Sequence, residues 1–240
     1  MFTFKKKKEY IHFPNPKFHN DGLATYHNCD FINEPLFKES YSLGKATGSW
    51  GEGEPLWRCH VCCWAAQQVL NYSGDFVECG VNKGGLSRAV MNYVNFKEQN
   101  DRKFWLFDTF NGIDKTLGSN NEKNNIDFYD NFYSECYEEV LKTFKEFNNV
   151  NVIKGSVPET LKKFTGEKIV YLSIDMNCLA PELAATEFFW DKLVSGGVIV
   201  FDDYGWAGHE EQKSGLDKFA QKVGSQILSL PTGQGLLIKA

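Results

Sequence analysis

The sequence contains no long apolar run. None of its stretches approaches the roughly 18 uninterrupted apolar residues that a membrane-spanning helix needs. Lysines stand near the N-terminus, but no apolar core follows them, so we do not expect a secretory signal. These absences predict a protein that does not insert into a membrane.

Positive charge is also scarce. The chain has 26 Lys and Arg residues against 31 Asp and Glu residues, which gives a formal net charge of −5. This balance disfavours a general binder of nucleic acids or anionic membranes. The only basic block runs from Lys5 to Lys8, and it is typical of a solvated chain terminus.

The cysteines do not form a disulfide framework. They number seven, are irregularly spaced and follow no export signal, so we expect reduced thiols in a cytoplasmic protein. Cys59, His60, Cys62 and Cys63 lie close together, but no second pair follows to complete the roughly four ligands of a structural zinc site. We therefore predict that this cluster packs in the core, on a helix.

Two phosphate-binding signatures are missing from the most distinctive stretch, residues 74–87. A short predicted strand ends at Glu78 and Cys79, and Gly80 and Gly84 then allow a sharp turn before a helix. The turn matches neither the G-x-G-x-x-G of dinucleotide sites nor a P-loop. An acid inside the turn suits a cofactor with hydroxyl or ammonium donors, such as S-adenosylmethionine. A plain glycine turn explains the pattern equally well.

Strands and helices alternate from residue 74 onward, in a chain whose apolar fraction of 42% is that of a folded protein. We predict strands at 76–79, 103–107, 150–154, 169–175, 197–202, 226–230 and 235–239. We predict helices at 55–71, 86–93, 132–147, 158–164, 181–194 and 212–223. The expected α/β fold is a doubly wound, Rossmann-like, seven-stranded sheet, mostly parallel, whose last strand is antiparallel.

The first 54 residues show no strong periodicity. We predict an N-terminal extension at residues 1–54 and one domain at residues 55–240. Residues 41–54 are glycine-rich around Trp50. They are predicted to form either a lid over a site or an arm that packs on a partner subunit.

Acidic residues follow several predicted strands, at the edge where doubly wound folds bind ligands. Asp108 follows the second strand, where a ribose diol is usually held, and Gly155 and Ser156 follow the third. Asp175 ends one later strand, and the pair at 202–203 ends the next. If those strands are neighbours, three carboxylates converge, and a divalent cation such as Mg²⁺ or Mn²⁺ would relieve their repulsion. The alternative is that one of these acids acts as a base and the others accept hydrogen bonds from the backbone.

Four motifs occur in order: Asp75-Phe-Val-Glu-Cys-Gly80, Leu106-Phe-Asp-Thr-Phe110, Ile174-Asp175 and Ser195-Gly-Gly-Val-Ile-Val-Phe-Asp-Asp-Tyr-Gly205. They resemble the macrocin O-methyltransferase family, from about residue 55 to the C-terminus. The resemblance implies a class I S-adenosylmethionine-dependent enzyme that methylates sugar hydroxyls on natural products with Mg²⁺. The family commonly reads Ile-Asp-x-Asp-Leu-Tyr-x-Pro-Thr, whereas this chain has Asn177 and Leu179 at the second Asp and the Tyr. This departure suggests a different acceptor.

The resemblance implies that Glu78, Gly80 and Asp108 hold the cofactor. The full set of cofactor contacts that we predict is Glu78, Gly80, Gly84, Ser87, Asp108, Thr109, Gly155, Ser156 and Asp175. The resemblance assigns the metal to Asp175, Asp202 and Asp203.

The acceptor hydroxyl must lose its proton during transfer. We predict Asp175, Asp203 and His209 as catalytic residues, with His209 as a base because its unperturbed pKa is about 6.5. Trp57, Tyr204 and Trp206 are candidates for an acceptor pocket that binds a small, sugar-like molecule.

Several alternatives stay open. An amine acceptor would make the protein an N-methyltransferase. A nicotinamide-dependent oxidoreductase on a similar fold is disfavoured by the missing G-x-G-x-x-G. A non-catalytic module is disfavoured by the complete acid set. The sequence does not decide between a monomer and a homodimer or higher homo-oligomer.

Overall fold

A seven-stranded sheet forms the centre of the protein, for which a computed structural model describes residues 14–240. The Lys5–Lys8 run lies outside the described residues. The strands are β1 Phe18–Asn20, β2 Leu23–Thr25, β3 Asp75–Cys79, β4 Phe104–Asp108, β5 Val150–Lys154, β6 Ile169–Ile174, β7 Leu193–Phe201, β8 Leu228–Ser229 and β9 Gly235–Ile238. Strands β1 and β2 form a separate hairpin.

The order of the large sheet is β5-β4-β3-β6-β7-β9-β8. Strands β3 to β7 pair in parallel, while β9 runs antiparallel to β7 and β8 runs antiparallel to β9. The prediction of a seven-stranded, mostly parallel sheet with an antiparallel end is therefore confirmed. Strands β3, β6 and β7 are neighbours, so their carboxyl ends open onto one edge.

Helices cover both faces of the sheet. They are α1 Pro35–Lys45, α2 Leu56–Gln68, α3 Gly85–Tyr93, α4 Lys123–Asp130, α5 Tyr137–Phe144, α6 Leu179–Trp190 and α7 Glu210–Lys222. One core cluster joins α1, α2, α3 and α5 to one face, and the other joins α6 and α7 to the opposite face. Because both faces are covered, β6 is buried at every position and its sequence, Ile-Val-Tyr-Leu-Ser-Ile, is almost continuously apolar.

Helix α1 lies in the extension for which the sequence predicted no regular structure. Its buried stripe consists of Phe37, Ser40, Tyr41 and Gly44. Two of these four residues are not apolar, so the helical period is hidden from a hydrophobicity pattern. Gly44 is needed there because a Cβ would lie 2.5 Å from the carbonyl oxygen of Gly85 on α3.

The helices in and after residues 111–136 also differ from the predicted ones. The predicted helix 132–147 was wrong at its start, because the helix begins only at Tyr137. Residues 123–130, for which no element was predicted, form α4, a short polar helix with one buried residue, Ile126. The predicted helix at 158–164 is a 3-10 helix, Glu159–Lys163. One or two turns of helix give a weak periodic signal.

The described part of the N-terminal extension packs on the rest of the chain. Phe31, Phe37 and Tyr41 share the core cluster of α2 and α3. The boundary at residue 55 stays a prediction. The three cysteines of α2 are buried in this cluster, and all seven cysteines are free. Within residues 14–240, no helix is both long and apolar enough to cross a bilayer.

Candidate active site

A cavity of about 800 Å³ opens at the carboxyl ends of the parallel strands. Its size lies within the range of about 300–1,000 Å³ that is usual for small-molecule sites. The wall contains the end of β3 with the following turn, the ends of β4 and β5, and the segments after β6 and β7. The loop between α1 and α2 and residues around α4 complete it.

The turn after β3 is held by protein contacts. Gly80 has φ +90°, and a Cβ there would lie 1.7 Å from the carbonyl oxygen of Asp175. Gly84 has φ +87°, and its Cβ would meet the ring of Phe144 at 2.6 Å. Both glycines are therefore required by backbone conformation and by neighbouring protein atoms.

Asp108 fastens the same turn from the end of β4. Its Oδ2 accepts hydrogen bonds from the backbone N–H groups of Val81 at 2.6 Å and Asn82 at 2.8 Å. Its Oδ1 accepts from the N–H of Phe110 at 2.5 Å and the hydroxyl of Thr109 at 3.3 Å. Burial raises the pKa of Asp108, and these hydrogen bonds oppose that rise. The carboxylate thus uses its main acceptor directions on the protein itself.

Glu78 places an unsatisfied carboxyl oxygen at the turn after β3. Its side chain is 2% exposed, and its Oε2 has no hydrogen-bond partner among the described residues. Burial, with further contributions from the charges of Asp108 and Asp202, raises the pKa of Glu78 well above its usual value. A buried carboxylate without donors is costly, so this oxygen calls for a ligand that donates hydrogen bonds.

The loop between α1 and α2 covers the turn after β3. The hydroxyl of Ser49 accepts the N–H of Gly85 at 2.8 Å, and the amide of Asn82 donates to the carbonyl of Ser49 at 3.1 Å. Trp50 stacks on Tyr41 of α1 with ring centroids 5.0 Å apart. Because residues 48–53 line the cavity, this segment covers the site from within the same chain.

Three carboxylates meet at the other strand ends. One oxygen each from Asp175, Asp202 and Asp203 lies within 4.8 Å of the other two. Burial raises the pKa of Asp203 to about 6, with a further contribution from Asp202. Burial and both neighbouring acids raise the pKa of Asp175 well above its ordinary value. The predicted convergence of these side chains is therefore what the structure shows.

Arg58 of α2 enters this acidic cluster. It donates to Asp202 Oδ2 and makes a bidentate pair with Asp21, with nitrogen–oxygen distances of 2.7 and 2.9 Å. Its guanidinium lies 5.1 Å from the ring centroid of Trp206. The other oxygen of Asp202 accepts from the amide of Gln234 at 3.0 Å. Burial lowers the pKa of the Arg58 guanidinium, but the charges of Asp202 and Asp21 raise it by more, so the net shift of the pKa is upward.

His209 lies behind the acids. It is 2% exposed, does not line the cavity, and places Nδ1 3.9 Å from Asp203 Oδ2. Nδ1 also bonds to the amide oxygen of Gln212, whose nitrogen donates to Glu182 at 3.0 Å. This position separates His209 from the cavity wall, whereas the sequence predicted His209 as the base that takes the acceptor's proton.

A phenol that the sequence analysis missed completes the wall beside Asp175. The amide of Asn177 donates to the hydroxyl of Tyr133 at 3.1 Å and to Asp175 Oδ1 at 3.2 Å. Burial raises the pKa of Tyr133, and the charges of Asp175 and Asp203 raise it further. The phenol therefore keeps its proton. Because Tyr133 lies 42 positions from Asp175 in a stretch without a clear pattern, no local sequence signal could have found it.

The family of the chain follows from the similarity of its sequence to a family model. A family model described as macrocin-O-methyltransferase matches residues 60–227, well over half of the 240-residue chain. The chain belongs to the macrocin-O-methyltransferase family. All of the carboxylates of the cavity except Asp21 and Glu52 lie inside the matched residues.

A curated relative agrees with this assignment. A demethyldecarbamoylnovobiocin O-methyltransferase of Streptomyces niveus is 24% identical over 142 residues, which are 56% of this chain and 54% of that protein. The match thus spans about half the length of this curated relative.

Two solved structures share the fold. The O-methyltransferase NovP superposes with a TM-score of 0.67 at 20% identity, covering 77% of this chain and 80% of that one. CalS11, described as a TDP-rhamnose 3′-O-methyltransferase of calicheamicin biosynthesis, gives 0.55 at 16% identity, covering 87% and 89%.

Within this macrocin-O-methyltransferase fold, most predicted cofactor residues line the cavity. They are Glu78, Gly80, Asp108, Thr109, Gly155, Ser156 and Asp175. Gly84 and Ser87 do not line it. Gly84 faces Phe144, and Ser87 is 1% exposed on α3.

Of the predicted acceptor aromatics, only Trp206 lines the cavity. Trp57 packs on Phe31 with ring centroids 4.6 Å apart. Tyr204 is 3% exposed, and its hydroxyl donates to Asp217. Tyr204 is therefore a core residue, and Trp57 is a partly buried residue that packs against the core.

A divalent metal, which the macrocin-O-methyltransferase family implies, fits the acid cluster. Asp203 Oδ2 is buried without a hydrogen-bond partner in the described part of the chain. The cluster offers only carboxylate oxygens as ligands. Such ligands suit Mg²⁺ or Mn²⁺. Asp202 is already engaged by Arg58 and Gln234, so Asp175 and Asp203 are the two freer ligands.

Proposed function

We propose that the protein transfers a methyl group from S-adenosylmethionine to a hydroxyl of a sugar or another natural product. One observation carries the proposal: a single cavity holds both the unpartnered Glu78 oxygen at the glycine turn and three converging aspartates. The family assignment supports it, as do relatives that are named O-methyltransferases.

The cofactor would bind at the turn after β3. S-adenosylmethionine offers hydroxyl and ammonium donors, and the buried Oε2 of Glu78 lacks such a donor. Asp108 would act mainly by holding the N–H groups of Val81 and Asn82 in place, which keeps the turn open. When bound, the cofactor supplies an electrophilic methyl group on sulfur.

The acceptor hydroxyl would lie at the aspartates. As the oxygen–methyl bond forms and the sulfur–methyl bond breaks, the hydroxyl proton must go to a base. In transfer without a metal, Asp203 would take this role, because it lines the cavity and burial raises its pKa to about 6, close to neutral pH. His209, 3.9 Å from Asp203, would orient that carboxylate from behind.

Asp175, Asp202 and Asp203 would hold the divalent metal. With a metal held there, the pKa of an acceptor hydroxyl bound to it would be lowered. Tyr133 would orient the same hydroxyl, since its phenol lies against Asn177, which in turn contacts Asp175. Arg58 would limit the negative charge of the cluster by its pair with Asp202.

Calorimetry tests the cofactor. We expect binding of S-adenosylmethionine and S-adenosylhomocysteine but not of NAD. Glu78→Gln should weaken both by about 1–3 kcal/mol, because one acceptor oxygen becomes a donor. The exposed Glu159→Gln serves as the matched control. Tight NAD binding without any response to S-adenosylmethionine would overturn the proposal.

Metal titration tests the acid cluster separately. We expect Mg²⁺ or Mn²⁺ to raise the melting temperature of the wild type and to have little effect on Asp203→Asn, which should still bind S-adenosylhomocysteine. A chelator should stop methyl transfer, and added Mg²⁺ should restore it. Undiminished transfer in chelator, together with no thermal response to either ion, contradicts the metal.

A further inference from the structure

The guanidinium of Arg58 joins two parts of the cavity wall that lie far apart in the sequence. Its Nε and Nη2 donate to the carboxylate of Asp21 at 2.7 and 2.9 Å, and its Nη1 donates to Oδ2 of Asp202. Asp21 belongs to the turn between β1 and β2, whereas Asp202 belongs to the acid cluster. Arg58 therefore places one permanent positive charge between the hairpin and the cluster.

The hairpin presents Asp21 to Arg58 in a defined geometry. Its two-residue turn, Asp21-Gly22, has positive φ at both positions, +52° and +75°, as a type I′ hairpin turn requires. A Cβ on Gly22 would lie 3.6 Å from the indole of Trp206, so the turn rests on that ring. The same ring has its centroid 5.1 Å from the guanidinium of Arg58. The carboxylate of Asp21 is therefore held beside Arg58 by the turn and by Trp206.

Asp202 differs from Asp203 in how far its oxygens are engaged. Its Oδ2 accepts from Arg58, and its Oδ1 accepts from the fully buried Gln234 at 3.0 Å. Oδ2 of Asp203 has no hydrogen-bond partner among residues 14–240. A divalent ion that shares Asp202 with Arg58 would bring two like charges close together, and their repulsion opposes binding of the ion.

We propose that Arg58 competes with the divalent cation for Asp202, and that Asp21 is the carboxylate that retains Arg58 when the cation binds. Arg58 is then a positioning residue that sets the affinity of the acid cluster for its metal. This role rests on the proposed function. It falls on two residues, Asp21 and Arg58, that precede the stretch matching the family model, which begins at residue 60.

Calorimetry with Mn²⁺ tests the competition. Arg58→Gln removes a positive charge beside the cluster and should bind Mn²⁺ about tenfold more tightly than the wild type. Asp21→Asn should bind Mn²⁺ about threefold more weakly, because Arg58 then keeps Asp202 as its carboxylate partner. Asparagine tolerates the positive φ at this position, so the turn should persist. These opposite signs separate competition from a general loss of structure, which would weaken binding in both variants.

Two controls make the result specific. Arg88→Gln removes an arginine that pairs with Glu146 and does not line the cavity, so its affinity for Mn²⁺ should equal that of the wild type. In an Asp202→Asn background, Arg58→Gln should lose most of its gain, because the carboxylate for which the two cations compete is gone.

The outcomes separate this role from the proposed function. If the wild type binds Mn²⁺ and Arg58→Gln binds it equally or more weakly, the competition is overturned and the metal site stands. If Arg58→Gln does not fold, an affinity of Asp21→Asn equal to or above that of the wild type overturns the competition by itself. Failure of both the wild type and Arg58→Gln to bind Mn²⁺ overturns the proposed metal site as well.

Discussion

Replacement of Asp108 by asparagine tests how the cofactor turn is built. The carboxylate accepts three backbone N–H groups, from Val81, Asn82 and Phe110, at 2.5–2.8 Å. An asparagine amide has one acceptor oxygen, so its NH₂ group must face at least one of these donors. Hydrogen bonds to a charged group contribute about 1.5–3 kcal/mol each.

Removal of the charge also removes the cost of burying a charged carboxylate away from water, which is the cost that raises the pKa of Asp108. We therefore expect a net loss of about 2 kcal/mol in the free energy of unfolding. For a chain of this size, that loss lowers the melting temperature by roughly 4–8 °C. The affinity for S-adenosylhomocysteine should fall at least about tenfold, because the turn that carries Val81 and Asn82 is no longer held.

Thermal unfolding without any ligand distinguishes this role from direct contact with the cofactor. A residue that only held a ribose diol would leave the ligand-free melting temperature unchanged. Asp191→Asn, an exposed acid, is the matched control. A ligand-free melting temperature for Asp108→Asn that equals the wild-type value would refute the idea that this carboxylate fastens the turn.

Three further predictions concern single side chains. Burial raises the pKa of Glu182 to about 8; because the folded protein then holds the proton more tightly than the unfolded chain, stability should fall by up to about 1.4 kcal/mol per pH unit between about 4.5 and 8. Urea unfolding at pH 5–8 should show a shallower fall for Glu182→Gln, and an unchanged slope would contradict the assignment. Gly80→Ala places a methyl group 1.7 Å from a carbonyl oxygen and should cost more than about 4 kcal/mol. Gly51→Ala shares the positive φ, at +52°, but has open space around it, so it should cost only the strain of that backbone conformation, about 1–3 kcal/mol. Similar melting temperatures would disprove this reasoning. In a methylation assay, Tyr133→Phe should form S-adenosylhomocysteine about tenfold more slowly than the wild type, with unchanged affinity for the cofactor. An equal loss of cofactor affinity would argue against a role of Tyr133 in orienting the acceptor.

The predicted sheet was confirmed because its signal is local. Each inner strand is buried on both faces, so apolar runs such as Phe104–Phe107 stand out in the sequence. The acids at strand ends were predictable for a related reason. Parallel neighbouring strands bring their carboxyl ends to one edge, so Asp175 and Asp203 meet wherever β6 and β7 pair.

Other parts of the site depend on contacts between distant segments. Arg58 meets Asp202 across 144 positions, and Tyr133 meets Asn177 across 44. Neither pair has a spacing that a sequence pattern can detect. Helix α1 was missed because Ser40 and Gly44 interrupt its buried stripe, and only its close packing on α3 explains them.

The sequence by itself determined the sheet, its strand-end acids and the family, because periodicity, burial and motifs act over a few neighbouring residues. Only the tertiary structure decided which acids are satisfied and which are free. Asp108 accepts hydrogen bonds from the glycine turn, whereas the buried Oε2 of Glu78 has no hydrogen-bond partner within residues 14–240. Hydrogen-bond satisfaction depends on donors from other segments of the chain, and folding alone places those donors.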